Sequence, residues 1–302
     1  MARGPRERTA PDGLVIVDKP GGITSHDVVA RVRRMAGTRK VGHAGTLDPM
    51  ATGVLLVGVE RATRLLGHLA LTDKAYAATI RLGVATVTDD AEGDVLATVD
   101  AASVTDDAIE AAIAPLRGDI LQRPSSVSAV KVDGVRSYAR VRGGEDVELA
   151  PRPVTVSRLD VVAVRRDEPG VVDVEVEVEC STGTYVRALA RDLGDALGVG
   201  GHLTALRRTR VGPFAVEHAH TLDALEESFV LVPLADVVRA TFACQVVDEE
   251  TAVRVLHGAC VPAEVEVEVE GPGPVGVLDA DGRVLSLAEV RDGLLAPLVV
   301  FS

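Results

Sequence analysis

Apolar residues in this chain fall into short runs punctuated by glycine, proline and acidic turns. Residues 14–17 form an apolar strand, ended by the turn signal Asp18-Lys19-Pro20-Gly21-Gly22. Thr24 or Ser25 can cap the next segment, where Val28, Val29, Val32 and Met35 recur at helical spacing and Gly37 closes the helix. Arg31, Arg33 and Arg34 lie largely off that face. Residues 53–59 are apolar without a break, as in a buried strand. Residues 61–71 predict a short helix with Leu65, Leu66 and Leu69 inward. Residues 74–83 alternate, which puts Tyr76, Ala78, Ile80 and Leu82 on one face of a half-buried strand.

Thr105 caps a predicted helix over 106–116, with acids in its first turn as the helix dipole favours. Residues 154–165 and 171–179 alternate around an Asp167-Glu168-Pro169-Gly170 turn, predicting an antiparallel hairpin with Glu175, Glu177 and Glu179 toward water. Between these elements, residues 122–153 form a long excursion made basic by Lys131, Arg136, Arg140 and Arg142, with Tyr138 among them. Long loops of this kind are functional or disordered, and this one reads as a flexible grip on a polyanion. The segment from Cys180 runs through a Ser/Thr/Gly turn directly into a helix, with Tyr185 and Arg187 at the junction. A short helix carrying three arginines is predicted over 203–212. From about residue 235 the pattern becomes that of a small, mostly β unit, with a helix near 249–256, alternating Val and Glu over 264–270 and a hairpin over 276–287.

One stretch stands out chemically: Val-Gly-His43-Ala-Gly-Thr-Leu-Asp48-Pro-Met-Ala-Thr-Gly53. It sets one carboxylate among small and apolar neighbours, in a glycine-rich loop that runs into the buried strand. An aspartate before proline is also an ordinary turn residue, so the stretch by itself does not make Asp48 catalytic. Lys19 could contact a phosphate or support this loop, with support the better reading. The acidic loop over 86–93 lacks the ligand spacing of a cation site.

Composition changes this picture in two ways. The net charge of −13 argues against a polyanionic partner, yet residues 215–302 hold 16 acids against 4 bases, a local −12. Residues 1–40 are locally +5, so one face can still grip phosphate. The three cysteines, Cys180, Cys244 and Cys260, are widely spaced, which suits a reducing cytoplasm and offers no metal motif. No apolar run has membrane-spanning length, and residues 1–10 read as a disordered tail without a signal peptide. No dinucleotide or P-loop fingerprint is present, so no cofactor is expected.

Taken together, Asp18-Lys19-Pro20, the stretch Gly42 to Gly53, Lys74-Ala-Tyr76, Gly183-Thr-Tyr185-Val-Arg187 and Leu206-Arg-Arg resemble, in order and spacing, the TruB family of bacterial tRNA pseudouridine-55 synthases. The resemblance implies an α+β fold: a mixed, mainly antiparallel sheet with flanking helices over 11–234, with the excursion 122–153 inserted, and a PUA-like domain over 235–302. It implies Asp48 as nucleophile, Arg187 as the group that keeps it ionised, and Tyr76 as the residue that stacks on the uracil and could act as base. Tyr185 and Leu206 would wall the pocket. His43 would sit on the RNA side, Lys19 stays a candidate phosphate contact beside its supporting role, and Asp90 would be structural or RNA-facing. The implied partner is the T-arm of tRNA, with the uridine flipped out of its stack. The implied chemistry needs no metal or cofactor and no protein partner; the widely spaced cysteines point to the cytoplasm, and a monomer is the default because no exposed heptad or apolar stripe is evident. Two other readings stand beside it: a guide-RNA-dependent pseudouridine synthase, and a non-catalytic RNA-binding or tRNA-folding module.

Overall fold

The computed structural model describes residues 11–125, 149–264 and 273–302, and the backbone of 131–132 and 135–136. The expected tail at 1–10, Tyr138, Arg140 and Arg142 of the excursion, and the acidic run 265–270 lie outside the described residues.

The chain opens with β1 (Gly13–Lys19), whose residues are nearly all buried. The helix Ser25–Met35 follows. Thr24 caps it in a full capping box with Asp27, and Val28, Val29 and Val32 are its buried stripe. Next come β2 (Val41–Ala44) and β3 (Thr52–Val59), which pair antiparallel around the Asp48 loop. Residues 60–69 make a 3-10 segment, Glu60–Leu65, and a single α turn, Leu66–Leu69, in place of the longer helix expected there. The strand β4 (Lys74–Leu82) alternates as predicted, with Tyr76, Ala78, Ile80 and Leu82 buried.

A small ribbon, β5 (Val84–Thr86) with β6 (Val95–Thr98), precedes the helix Asp106–Ile113. The excursion then leaves from the end of β7 (Gly118–Gln122). It contains the ribbon β8 (Lys131–Val132) and β9 (Val135–Arg136), and rejoins the sheet at β10 (Arg152–Arg165). Gln122 and Arg152 face each other in the β7–β10 register, so both ends of the excursion meet on one rung. The strand β11 (Val172–Cys180) completes the expected hairpin with β10. The helix Val186–Ala196 starts at Tyr185.

Residues 203–212, read from sequence as a helix, lie instead in a strand, β12 (Gly201–Val211). Irregularities between Leu203 and Ala205 and between Arg208 and Arg210 shift its phase. Leu203, Leu206, Arg208 and Val211 therefore all point inward, at a spacing close to three. Such bulges turn a strand's period of two into one that imitates a helix.

The chain continues through β13 (Phe214–Ala215), the helix Leu222–Glu227, β14 (Val232–Pro233) and the helix Leu234–Thr241. It ends with β15 (Cys244–Val246), the helix Glu249–Leu256, β16 (Val261–Pro262), β17 (Val275–Leu278), β18 (Val284–Arg291) and β19 (Leu294–Val300).

The main sheet runs β14-β1-β3-β12-β4-β11-β10-β7. Its neighbours are antiparallel except β12 and β3, which touch in parallel at only two rungs, Arg207 with Thr52 and Arg208 with Gly53. At this seam a Cβ on Gly53 would lie 2.1 Å from the Arg208 carbonyl oxygen, and Gly53 has φ +96°. Only glycine fits there. One face of the sheet buries Val17, Leu55, Tyr76, Val176 and Leu206 beneath the helices.

A second sheet, β15-β17-β18-β19-β16, forms the C-terminal unit. Leu234, Val237, Leu287 and Phe301 pack with Leu14, Ile16, Val54 and Leu56 of the main sheet in one shared core. Among the described residues, no helix is long and apolar enough to cross a membrane.

Candidate active site

The Asp48 loop connects β2 to β3 at the seam, and three supports hold it. From one side, Ser25 at the start of its helix grips Leu47. Its hydroxyl donates to the Leu47 carbonyl at 3.1 Å and accepts from the Leu47 N–H at 3.0 Å. From below, Lys19 is wholly buried and its ammonium donates to the carbonyls of Pro20, Pro49 and Ala51. Burial lowers the Lys19 pKa to about 8. From behind, Arg208 is also almost fully buried; its guanidinium donates to the carbonyls of Val54 (2.7 Å) and Gly45 (2.9 Å). Buried cations at this depth need such partners, and here main-chain oxygens provide them.

The helix Val186–Ala196 brings Arg187 to the loop from across the sheet. Its Nε lies 3.1 Å from Asp48 Oδ2 and its Nη2 donates to Oδ1 at 3.5 Å. Its far side reaches Asp90 Oδ2 at 3.3 Å and donates to the Thr88 carbonyl at 2.9 Å. Arg187 is thus shared between two carboxylates. Asp90 is buried and also accepts from the Glu92 N–H and the Thr88 hydroxyl. The Asp48 side chain is 37% exposed. It is the open end of the array.

Burial raises the Asp48 pKa above the ordinary carboxylate value, and Asp90 adds to this, while Arg187 and Lys19 pull it back. The expected role of Arg187 therefore has a specific form: it opposes a desolvation that would otherwise favour the neutral acid.

Asp48, Thr46 and Leu47 line a cleft of about 290 Å³ with Tyr76, Leu206, Gly183, Thr184, Tyr185, Val186 and Arg187. Five sequence-predicted residues, Asp48, Tyr76, Tyr185, Arg187 and Leu206, therefore meet here. The Tyr76 phenol is pushed above its usual range by burial, with Arg208 working the other way.

Three predicted residues lie elsewhere. Lys19 is inaccessible to a phosphate because its ammonium is enclosed by loop carbonyls. Asp90 sits behind Arg187, where burial removes it from any RNA surface. Lys19 therefore supports the loop and Asp90 is structural, and the alternatives in which Lys19 contacts a phosphate or Asp90 faces RNA are corrected. His43, on β2, packs edge-on against His26 with ring centroids 5.4 Å apart. Its Nδ1 is buried with no hydrogen-bond partner among the described residues. Burial, with repulsion from His26 and Arg208, holds its pKa below the usual histidine value.

Sequence reasoning missed Ser25, Gln122 and Arg208. Arg208 is part of the Leu-Arg-Arg signature, but the assumed helix hid its inward direction. Ser25 was read only as a helix cap, and nothing local marks Gln122.

Family models match nearly the whole chain. Residues 33–186 match the TruB family pseudouridylate synthase N-terminal domain. Residues 187–240 match a tRNA pseudouridylate synthase B C-terminal domain, and 242–302 the C-terminal model of tRNA pseudouridine synthase II. A Streptomyces avermitilis protein named tRNA pseudouridine synthase B is 58% identical over 295 residues, covering 96% of this chain and 97% of that one. Its Rhodococcus jostii namesake is 60% identical over 282 residues, covering 92% and 90%. Among solved structures, a Cbf5-Nop10-Gar1 complex matches with TM-score 0.73 and 28% identity, covering 99% of this chain and 87% of that one. An H/ACA RNP bound to a substrate RNA containing 2′-deoxyuridine matches with TM-score 0.71 and 25% identity, covering 99% and 88%.

Proposed function

The chain belongs to the TruB family of pseudouridylate synthases, and from that premise we propose that it isomerises uridine 55 in the T-arm of tRNA, with Asp48 as nucleophile. The observation that carries the role of Asp48 is its pairing with Arg187 at the mouth of the cleft: a carboxylate partly open to water, held by a cation that has a second, buried carboxylate behind it.

The reaction breaks the bond from C1′ to N1, turns the uracil, and joins C1′ to C5. The C5 proton leaves and N1 ends protonated, so no atom or electron is gained or lost overall. A nucleophilic carboxylate divides this exchange into easier steps, whether it attacks C1′ or C6. Tyr76 supplies a ring for stacking on the uracil, beside Leu206 and Tyr185. Its phenol must lose a proton before it can take one from C5 or C2′, and burial makes that loss harder. A cleft of about 290 Å³ holds a base but no duplex, which supports a flipped nucleotide. His43, packed edge-on against His26 on β2, is the residue we assign to RNA contact beside the cleft; its Nδ1 is buried and takes no part in that contact.

The stand-alone reading is favoured over a guide-dependent one by the relatives named tRNA pseudouridine synthase B at 58% and 60% identity, against 25% and 28% for the ribonucleoprotein chains. We further propose that this chain acts as a cytoplasmic monomer without a protein partner. The test is to incubate the purified chain with an unmodified tRNA transcript and map pseudouridine. Product at position 55 is expected from the native chain. Asp48→Asn should bind the transcript and yield none; turnover by that variant near the native rate would overturn the assignment.

A further inference from the structure

We infer that Gln122 is a positioning residue for this reaction, aiming Tyr185 and Arg187 into the cleft by reading the backbone at the start of their helix. The inference rests on the role given above to the Asp48–Arg187 pair.

Gln122 is the last residue of β7 and is 2% exposed. Its amide makes a reciprocal pair with one residue: Nε2 donates to the Tyr185 carbonyl at 3.1 Å, and Oε1 accepts from the Tyr185 N–H at 2.7 Å. Tyr185 is the N-cap of the helix Val186–Ala196, and its own side chain makes no capping bond. The main-chain groups that set where this helix begins are therefore held by a side chain from another part of the fold. Arg187 lies two residues beyond, so a turn of the Tyr185 peptide moves the guanidinium relative to Asp48. One turn further on, Arg191 donates to the Arg123 carbonyl at 2.8 Å. Two adjacent residues, 122 and 123, thus tie the sheet edge to the first two turns of the helix. Ser25 does the same for Leu47, the residue before Asp48. The two sides of the catalytic pair are each fixed by a buried side chain that satisfies both main-chain groups of one neighbouring residue.

A primary amide of this length is required for both bonds. Gln122→Met keeps the length and loses both. Gln122→Glu keeps the acceptor for the Tyr185 N–H but sets an oxygen against the Tyr185 carbonyl.

The test measures saturating single-turnover rate, tRNA affinity, the acid limb of the pH–rate profile and Tm for the native chain, Gln122→Met, Gln122→Glu and Asp48→Asn. Displacement of catalytic groups by about an ångström lowers rate by ~10²-fold. We expect Gln122→Met to lose roughly 10- to 100-fold in rate on that basis, with tRNA affinity within about twofold. Its acid limb should move to higher pH as Arg187 loosens from Asp48. Gln122→Glu should show the same signs, and carries the test if Gln122→Met fails to fold. A lowered Tm with native rate and native acid limb would make Gln122 merely structural and overturn the inference, as would a loss confined to tRNA affinity. If Asp48→Asn turns over, the reading of the site fails regardless of Gln122. If Asp48→Asn is inert while folded Gln122 variants run at the native rate, only the present inference fails.

Discussion

Arg187 holds Asp48 from the side, with Nε 3.1 Å from one carboxylate oxygen and Nη2 3.5 Å from the other. The same guanidinium is 3.3 Å from buried Asp90. The arrangement fixes the cation from behind and leaves a single carboxylate facing the cleft.

The pH dependence follows from the direction of the Asp48 shift. Burial raises its pKa, and only the ionised form is a nucleophile. Activity should therefore be full above the raised value and fall as pH drops through it, at a pH above the 3.8 of an ordinary aspartate. Arg187 opposes the rise, so Arg187→Lys, which is less well matched to a carboxylate, should move the acid limb upward. Arg187→Gln also strands Asp90 and should destabilise the fold by about 3–5 kcal/mol. Pairing it with Asp90→Asn should recover part of that loss without restoring activity. The measurements are a rate profile from pH 4 to 8 and chemical denaturation of each variant.

Ser25→Ala would leave the buried N–H and carbonyl of Leu47 unpaired. An unsatisfied buried polar group costs about 1–3 kcal/mol. Because Leu47 precedes Asp48, kcat should fall more than tRNA affinity. Unchanged turnover in Ser25→Ala would show that Pro49 and Lys19 suffice to hold the loop.

Gly53→Ala places a methyl against the Arg208 carbonyl at a positive φ. Strain and overpacking together should cost at least about 3 kcal/mol, enough to lower Tm by several degrees. Gly67→Ala is the control: a Cβ there meets nothing within 4 Å, so Tm should stay the same or rise slightly. Equal Tm for the two variants would remove the seam as a constraint.

Arg39 is exposed in the loop between the first helix and β2, within the basic N-terminal stretch. If it meets a phosphate, Arg39→Glu should weaken tRNA binding and make the plot of log K against log salt shallower by about 0.7–0.9. Arg283→Glu, in the acidic C-terminal unit, should leave the slope unchanged. Equal effects would mean that RNA extends over both sheets.

Local pattern carried much of this protein. Alternation put Tyr76 on the buried face of its strand, the glycines marked the Asp48 loop, and the strand-to-helix junction marked Tyr185 and Arg187. The hairpin of β10 and β11 could also be read, because the period of two is unbroken along β11 and the turn residues are strong, even though β10 carries two register shifts. These features depend on neighbours within a few positions, and there the pattern is direct physical information about which side meets water.

Other features were settled only in three dimensions. The strand β12 imitated a helix because two irregularities shifted its inward positions to a spacing near three. For Lys19 and Asp90 the pattern left a structural role and an RNA contact both open, and burial in the fold decided for the structural one. The pairs that build the cleft join residues far apart in the chain: 22 positions for Ser25 and Leu47, 63 for Gln122 and Tyr185, 139 for Asp48 and Arg187. The sequence by itself determined which residues could supply a carboxylate, a cation and an aromatic ring, because residue type and local period are properties of short segments. Only the tertiary structure decided which of them share a cleft and which are sealed beneath it, since that depends on strand register, bulges and the single crossing at Gly53.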